Sequence, residues 1–390
     1  MTLVDRWLLP DGVEELLPAE ARQVESLRRS LLDLFQRWGY ELVIPPLLEY
    51  TESLLVGLGG DIDLLTFRVT DQLTGRMMGL RADITPQAAR IDAHSMKREG
   101  PVRLCYAGSV LHTKPKKPLA SRSPIQLGAE LYGDNSSASD LEIICLMLET
   151  LRTAGLEGLT LDVGHVGIYQ AVTAAAGLSG EKEQVYFDIL QRKAAAELAV
   201  FVDQLSLPDK QAEQLRGLAM LHGGSDVLAR GRALFSDIPP ALEAIDSLEG
   251  LAAALTARMP DVAFYFDLAE LRGYHYHTGL VFSALVQEHG QALASGGRYD
   301  DIGEVFGRAR PATGFSIDLK ALLGLLPDTA STLGVFAPYS EEPAQWQAVQ
   351  ALRQSGETVV TGLPGQRPGE DCDRQLVEND GQWSVRPLGE

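Results

Sequence analysis

The segment IQLGAELYG, residues 125–133, constrains the fold of this chain more than any other part of its sequence. Its apolar residues alternate with small or polar ones, and this period of two predicts a β-strand with one face in a core. The other face carries Gln126, Gly128 and Glu130. A glycine between two polar side chains leaves room for a ligand, and a carboxylate there can pair with an ammonium or imidazolium group. An ordinary half-exposed strand would show the same alternation, so the segment alone leaves both interpretations open.

Hydrophobic periodicity and turn residues predict the elements that surround this strand. Helices are predicted at 19–38 and 139–155, and a third begins where Thr85 can cap and Pro86 can take the first helical position. A further helix is predicted at 313–326. Strands are predicted at 40–46, 76–80, 102–111, 160–165, 262–268, 274–286 and 291–297, with a turn at 287–290. The mixture predicts an α+β fold, an antiparallel-leaning sheet with flanking helices.

The composition of the chain changes twice, and each change predicts a boundary. Between about residues 168 and 260, Ala, Leu, Glu and Gln dominate and strand signals vanish, which predicts a helical insertion. From residue 332, a strand, a helix and a second strand predict a small C-terminal α/β domain. Beyond Gly362 the chain is rich in Pro and Gly, and we expect it to be loosely ordered. We therefore expect one domain at 1–326 and a second at 327–390.

The charge balance and the cysteines narrow the classes of function. The chain has 34 Lys and Arg residues against 53 Asp and Glu residues, a formal net charge of −19. So acidic a surface disfavours tRNA as the main partner, because nucleic-acid binding depends on neutralised phosphates. The three cysteines are far apart with no CxxC pair, which predicts neither a disulfide framework nor a metal site. No signal peptide and no membrane-spanning apolar run is visible, so we expect a cytoplasmic protein with no membrane partner.

Several polar residues outside the 125–133 strand could line a pocket. Asp83 and Thr85 stand at a predicted strand-to-helix junction, where they can accept hydrogen bonds from an amine or simply cap the helix. The loop from Lys114 to Arg122 is a basic patch on an acidic chain, and a binding role and a solvated loop are equally compatible with it.

The segments LRGYHYHTG (271–279) and SGGRYD (295–300) also concentrate polar side chains. His275 and His277 share a predicted strand face, as metal ligands can, but no third ligand is discernible and a polar pocket wall is the favoured interpretation. Tyr299 follows a Gly-Gly turn that matches neither the P-loop nor the dinucleotide-binding fingerprint.

Taken in order, these segments resemble the motifs of histidyl-tRNA synthetases over roughly residues 5–326. GYELVIPPLLEY resembles the first class II motif, which forms the dimer, and LRADITPQAAR resembles the segment that holds the amino group of histidine. PVRLCYAGSVLHTKPKKPLASRSPIQLGAE is similar to the second motif, and PATGFSIDLKALL to the third. LRGYHYHTGLVF and ASGGRYDDI resemble the two histidine-specific motifs. The resemblance implies a class II aminoacyl-tRNA synthetase-like antiparallel sheet.

The resemblance breaks at the positions that bind ATP in an active synthetase. The second motif of that family has an Arg and, two residues later, a Glu, where this chain has His112 and Lys114. The third motif ends in Glu-Arg, where this chain has Lys320 and Ala321. The missing arginines hold the α-phosphate and the far end of ATP, a role that neither a neutral imidazole nor a methyl group can perform. We therefore expect no aminoacylation, no catalytic residue and no cofactor.

The histidine-binding positions of the family are largely retained. His275 and His277 depart from the Asp and the second Tyr of the family's motif. The resemblance implies a histidine site made of Asp83, Thr85, Gln126, Glu130, Arg272, Tyr276, His277 and Tyr299.

A chain that keeps the histidine site and loses the ATP site is similar to the regulatory subunits of short-form ATP phosphoribosyltransferases. The resemblance implies a non-catalytic subunit that is required for the first step of histidine biosynthesis and mediates feedback inhibition by histidine, its allosteric ligand. It also implies a homodimeric core that assembles with the short catalytic subunit in a hetero-octamer. A divergent histidyl-tRNA synthetase, and a synthetase paralogue that regulates another client, remain the alternatives.

Overall fold

The computed structural model describes residues 7–54, 64–116, 120–274, 276–286, 290–326 and 333–388. The chain divides into two compact units, Met1–Leu326 and Pro327–Glu390. None of the helices within the described ranges is long and apolar enough to cross a membrane.

The first unit is built on a large sheet and a small one. Its strands are, in chain order, β1 (Glu41–Leu42), β2 (Leu48–Tyr50), β3 (Arg68–Thr70), β4 (Met77–Leu80), β5 (Val102–Ser109), β6 (Ile125–Tyr132), β7 (Leu159–His165), β8 (His222–Gly223), β9 (Ala263–Asp267), β10 (Leu280–Val286), β11 (Ala292–Arg298) and β12 (Ala312–Asp318). The large sheet has the order β1-β5-β6-β12-β11-β10-β7-β9-β8, and the small one has the order β2-β4-β3. In the large sheet β1 is parallel to β5 and β7 is parallel to β9, while the other described pairs are antiparallel. The sheet therefore confirms the antiparallel-leaning prediction.

Two of the helices pack on one face of the large sheet, and the polar residues of β6 lie on the other. The helices of the first unit are α1 (Pro18–Arg37), α2 (Thr51–Leu54), α3 (Thr85–Arg90), α4 (Ser137–Thr153), α5 (Val166–Ala175), α6 (Glu181–Gln191), α7 (Ala195–Gln204), α8 (Asp209–Leu218), α9 (Asp226–Leu234), α10 (Pro239–Arg258) and α11 (Leu319–Leu323). The core contains Leu127, Ala129 and Leu131 of β6 together with apolar residues of α1 and α4. The alternation along β6 thus buries its apolar residues beneath the helices and directs Gln126 and Glu130 to the opposite face.

Two sequence predictions near the site were wrong. The helix expected at 313–326 is instead the strand β12, followed by the short helix α11. The strand pairs with β6 on one side and β11 on the other, so sheet pairing overrides the helical spacing of its apolar residues. The strand expected at 274–286 begins only at Leu280, and the residues before it form turns around Gly273, whose φ is +67°. His275 lies outside the described residues, and His277 precedes β10. The described part of the chain therefore has no strand at His277 that could give the predicted shared face.

The predicted helix at Thr85 is present but shorter in its α-helical part. The α-helix ends at Arg90, and a π-helix follows it over Ile91–Met96. The region from α5 to α10 is helical apart from the two-residue strand β8, as the change of composition indicated.

The second unit is a small α/β arrangement. It contains β13 (Gly334–Ala337), α12 (Pro343–Gln354), β14 (Val359–Thr361), β15 (Cys372–Asn379) and β16 (Gln382–Pro387), with the sheet order β14-β13-β15-β16. The expectation of a loosely ordered tail beyond Gly362 was wrong, because β15 and β16 form an antiparallel hairpin. Asp380 and Gly381 form its two-residue turn with φ of +50° and +78°, the Asp-Gly hairpin signal that the sequence prediction overlooked.

Candidate functional site

The polar face of β6 carries a connected hydrogen-bond network. The side-chain amide of Gln126 donates to Asp83 Oδ1 at 2.8 Å, and its carbonyl oxygen accepts from the backbone N–H of Ile84 at 2.9 Å. Asp83 Oδ1 also accepts from the backbone N–H of Thr85 at 3.0 Å. The structure therefore brings together three of the residues that the sequence nominated, Asp83, Thr85 and Gln126.

Tyr106 links this network to Glu130. Its hydroxyl group lies 2.9 Å from Thr85 Oγ1 and donates to Glu130 Oε1 at 2.9 Å. The sequence analysis missed Tyr106, which lies on β5 directly opposite Gly128. A Cβ atom at position 128 would lie 2.6 Å from Tyr106 Cζ and closer still to its hydroxyl oxygen, so the glycine makes room for the tyrosine ring rather than for a ligand. The strand register that pairs the two residues is not readable from a single sequence, which is why this link was not predicted.

Glu130 and Tyr299 each have a buried oxygen atom with no described partner. Glu130 is 1% exposed and Tyr299 is 2% exposed, and neither Glu130 Oε2 nor the hydroxyl group of Tyr299 has a hydrogen-bond partner among the residues that the structure describes. Burial raises the pKa of Glu130 well above its ordinary value, and the charge of Asp83 raises it further. Buried polar atoms are almost always hydrogen-bonded, so two unpartnered oxygen atoms facing one space indicate a place for a ligand.

The two oxygen atoms pack against Gly314. A Cβ atom at this position would collide with both the carboxyl group of Glu130 and the hydroxyl group of Tyr299. Gly314 pairs with Glu130 across β12 and β6, and only a residue without a side chain leaves both groups in their positions. The sequence analysis also missed this residue, because it predicted a helix at 313–326.

A group of aromatic rings adjoins Tyr299. The rings of Tyr276 and Tyr299 stack with centroids 5.0 Å apart, and the His277 ring lies edge-on to Tyr276 at 5.5 Å. His277 Nδ1 lies 3.2 Å from the backbone carbonyl oxygen of Arg272, and burial lowers the pKa of His277. These contacts place His277 beside the rings of Tyr276 and Tyr299. Among the described residues, no group of three or more His, Cys, Asp or Glu side chains could hold a metal ion.

Arg272 does not join the cluster around Glu130. Its guanidinium Nη2 donates to Asp162 Oδ2 at 2.6 Å, and its Nε donates to Glu270 Oε2 at 2.8 Å. Half of the Arg272 side chain is exposed. Among the described residues that the resemblance implies for the histidine site, Arg272 is thus the one whose side chain forms ion pairs, namely with Asp162 and Glu270.

The positions that bind ATP in synthetases contact other parts of this chain. His112 is buried, with Nε2 2.9 Å from the carbonyl oxygen of Ala82, and burial lowers its pKa. The Lys320 ammonium group donates to Glu14 Oε1 and Ser123 Oγ, both at 3.2 Å. Lys114 and Ala321 are exposed.

The N-terminal segment adds a further contact at these positions. Arg122 donates from Nη1 to the carbonyl oxygen of Asp11 at 2.8 Å and from Nε to that of His112 at 3.0 Å. The predicted basic patch is therefore divided, because Arg122 contacts the protein's own backbone while Lys114 faces solvent. Two of the cations in this region, Arg122 and Lys320, are engaged by the chain itself.

Two family models match the chain. One, described as histidyl-tRNA synthetase, matches residues 12–322, and one described as ATP phosphoribosyltransferase subunit HisZ C-terminal domain matches residues 332–386. Proteins called ATP phosphoribosyltransferase regulatory subunit from Azotobacter vinelandii and Pseudomonas aeruginosa are each 57% identical to this chain over 100% of both sequences.

Solved structures of the same class are also similar. An ATP phosphoribosyltransferase regulatory subunit/histidyl-tRNA synthetase from Bacillus halodurans has a TM-score of 0.82 at 28% identity, covering 93% of this chain and 94% of that one. A histidyl-tRNA synthetase from a Nostoc species has a TM-score of 0.80 at 20% identity, covering 98% and 95%. These similarities confirm the predicted histidyl-tRNA synthetase-like fold.

Proposed function

The chain belongs to the ATP phosphoribosyltransferase regulatory subunits, and from this premise we propose that it binds histidine and reports the occupancy of that site to a catalytic subunit. Membership of this family makes its role in histidine biosynthesis a non-catalytic one. In the proposal, bound histidine inhibits the first step of the pathway by feedback. The observation that carries it is the pair of unpartnered oxygen atoms on Glu130 and Tyr299.

The imidazole ring and the ammonium group of histidine each have matching groups in the proposed pocket. The imidazole ring donates to Glu130 and Tyr299, and Tyr276 and His277 enclose it. A buried carboxylate that pairs with an imidazolium forms a strong, charge-assisted hydrogen bond. The ligand's ammonium group binds Asp83, which Gln126 and Thr85 keep in place.

The carboxylate of histidine is assigned to Arg272. This is the least direct assignment, because Arg272 is paired with Asp162 and Glu270 in the structure. Binding therefore requires the guanidinium group to change partners.

The region beside the pocket supports sensing rather than synthesis. His112 and Ala321 cannot clamp a triphosphate, and Lys320 is engaged by Glu14 and Ser123. Histidine in this pocket then has no activated phosphate to attack. Occupancy has an effect only if a partner binds the occupied and the empty state with different affinity.

We propose the short catalytic subunit of ATP phosphoribosyltransferase as that partner, in a cytoplasmic hetero-octamer built on a homodimer of this chain. The residues around β1, β2 and β4 expose apolar side chains of a kind that dimer interfaces cover, namely Leu42, Ile44, Leu47, Leu48 and Met77. A two-fold dimer would present two copies of any docking surface, from which a larger symmetric assembly follows. The net charge of −19 disfavours tRNA as a competing partner.

Titration calorimetry with histidine tests the proposal. Removing one partner of a buried charge-assisted contact costs about 2–5 kcal/mol, so Glu130→Ala should weaken binding by about thirtyfold or more. Glu197→Ala is the matched control, because Glu197 pairs with Arg192 at the surface of the helical insertion. Wild-type affinity in Glu130→Ala would place the histidine site elsewhere.

A further inference from the structure

The guanidinium group of Arg272 is paired with two carboxylates, those of Asp162 on β7 and Glu270. Its Nη2 atom lies 2.6 Å from Asp162 Oδ2 and 2.6 Å from Glu270 Oε2. The backbone N–H of Arg272 also donates to Glu270 Oε1 at 2.7 Å. The side chain of Asp162 is 15% exposed and that of Glu270 is 10% exposed, so the guanidinium rests on two largely buried acids.

The strand register shows how far this contact lies from the pocket. Asp162 on β7 shares a row across the sheet with Ser283 on β10, Ser295 on β11, Ser316 on β12 and Gly128 on β6. Paired residues face the same side of a sheet, so Asp162 and the polar face of β6 belong to one surface. Four strand spacings of about 4.8 Å separate β7 from β6, or about 19 Å. The backbone of Arg272 is nonetheless close to the proposed site, because its carbonyl oxygen lies 3.2 Å from Nδ1 of His277, whose ring centroid is 5.5 Å from that of Tyr276.

We propose that Asp162 is a positioning residue of the histidine site, which holds Arg272 away from the pocket until the ligand's carboxylate takes its place. This inference rests on the proposed function, since it concerns how that pocket is filled. The guanidinium group then exchanges one carboxylate partner for another. The affinity for histidine is consequently lower than it would be if Arg272 were unpaired, because binding must first break the ion pair between Arg272 and Asp162.

The surroundings of Asp162 fit a partner that can be exchanged. Its Oδ1 atom is buried without a described hydrogen-bond partner, so Arg272 satisfies only one of its two oxygen atoms. Burial raises the pKa of Asp162 to about 6, Arg272 opposes that rise, and the charges of Glu270 and Asp267 add to it.

The other charged group beside this contact is already paired. Lys193 lines the same cavity of about 380 Å³ as Asp162 and Arg272. Its ammonium group donates to Asp267 Oδ2 at 2.9 Å. When Arg272 leaves, no described cation replaces it at Asp162. A carboxyl group with a raised pKa can then take up a proton, which limits the cost of losing its partner.

Histidine calorimetry on the full-length chain tests the inference through Asp162→Asn. At pH 8 this variant should bind histidine about three- to tenfold more tightly than wild type. Asp261→Asn is the matched control, because Asp261 pairs with Arg152 at the same distance of 2.6 Å and has no described hydrogen bond or ion pair with Arg272. Its affinity should equal that of wild type.

The pH dependence separates release of Arg272 from a general structural change. Asparagine mimics a protonated aspartic acid, so the ratio of wild-type to Asp162→Asn dissociation constants should fall towards one at pH 5. The titrations of the ligand and of Glu130 are common to both proteins and cancel in this ratio. Glu270→Gln, which loosens the same guanidinium group, is a second variant that should also tighten binding at pH 8.

Two results would overturn the inference. If wild type binds histidine but Asp162→Asn and Glu270→Gln bind equally well or more weakly at pH 8, Asp162 does not compete for Arg272. If the ratio is the same at pH 5 and pH 8, the effect does not come from the charge of Asp162. A wild-type chain that binds no histidine would instead refute the proposed function itself, and the inference with it.

Discussion

Glu130 and Tyr299 direct their unpartnered oxygen atoms at the same side of Gly314, on the strand that lies between them in the sheet. The pocket is therefore defined as much by a missing side chain as by the two polar groups. Each oxygen atom loses its water on burial and has no described protein partner in return. A ligand with N–H donors would restore both hydrogen bonds.

Gly314→Ala should abolish histidine binding while the chain remains folded. The added methyl group would collide with Glu130 and Tyr299, so it would push away the two groups that bind the ligand in the proposal. We expect affinity to fall by at least about thirtyfold, the scale of a lost buried contact. Calorimetry measures the change, and circular dichroism checks the fold.

Gly324→Ala is the control for this substitution. A Cβ atom there would make only ordinary contact, 3.8 Å from the carbonyl oxygen of Ala321. If Gly314→Ala bound histidine as well as Gly324→Ala does, the space beside Gly314 would not be the ligand site.

Glu130→Gln should stabilise the ligand-free chain, and more so as the pH rises. Burial raises the folded-state pKa of Glu130 well above the value of about 4.3 for an unperturbed glutamic acid. Near pH 4 the carboxyl group is protonated in both states. Above that pH the unfolded chain loses the proton while the folded chain keeps it, so the free energy of unfolding falls with rising pH.

Glutamine has no such proton and can still accept the hydrogen bond from Tyr106. Urea unfolding of both proteins at pH 4 and pH 7 should show a gap in the free energy of unfolding that grows with pH in favour of the variant. A gap that closes as the pH rises would mean that Glu130 is stabilised as an anion in the empty pocket.

The purified chain should catalyse no histidine-dependent exchange between ATP and pyrophosphate and should charge no tRNA. His112 and Ala321 stand where synthetases have arginines, and Lys320 is tied to Glu14 and Ser123. An active histidyl-tRNA synthetase assayed alongside provides the positive control. Exchange above the enzyme-free background would contradict the non-catalytic assignment.

Local alternation predicted correctly which residues of β6 share a face, and long-range strand pairing explains which neighbouring residues were missed. Gln126 and Glu130 lie on one face of β6 because a strand alternates its side chains, a rule that needs no knowledge of neighbouring strands. Tyr106 and Gly314 join the site only through the register of β5 and β12 against β6. A single sequence does not contain that register.

Sheet pairing also explains the wrong helix at 313–326. Its apolar residues recur at a spacing that suits a helix, but Phe315 and Ile317 alternate equally well with Gly314 and Ser316. Periodicity alone could not separate the two, and the central position of β12 in the sheet decided in favour of the strand.

The position of Arg272 shows a different limit of prediction. The resemblance implies that Arg272 binds histidine, but it could not show that Asp162 and Glu270 bind the arginine in this structure. Asp162 lies on β7, more than one hundred residues away from Arg272 along the sequence. An ion pair between residues so far apart in the sequence can be identified only from the three-dimensional structure.

The most direct test of the account is the inhibition of phosphoribosyl transfer by histidine in a complex of this chain with the short catalytic subunit. We predict that the two proteins form a stable complex, measured by size-exclusion chromatography with light scattering. Histidine should inhibit the wild-type and Glu197→Ala complexes alike, whereas the Glu130→Ala complex should need about thirtyfold more histidine or remain uninhibited. Equal inhibition of the Glu130→Ala complex, or no association at micromolar concentration, would contradict the claim that this pocket senses histidine for a catalytic partner.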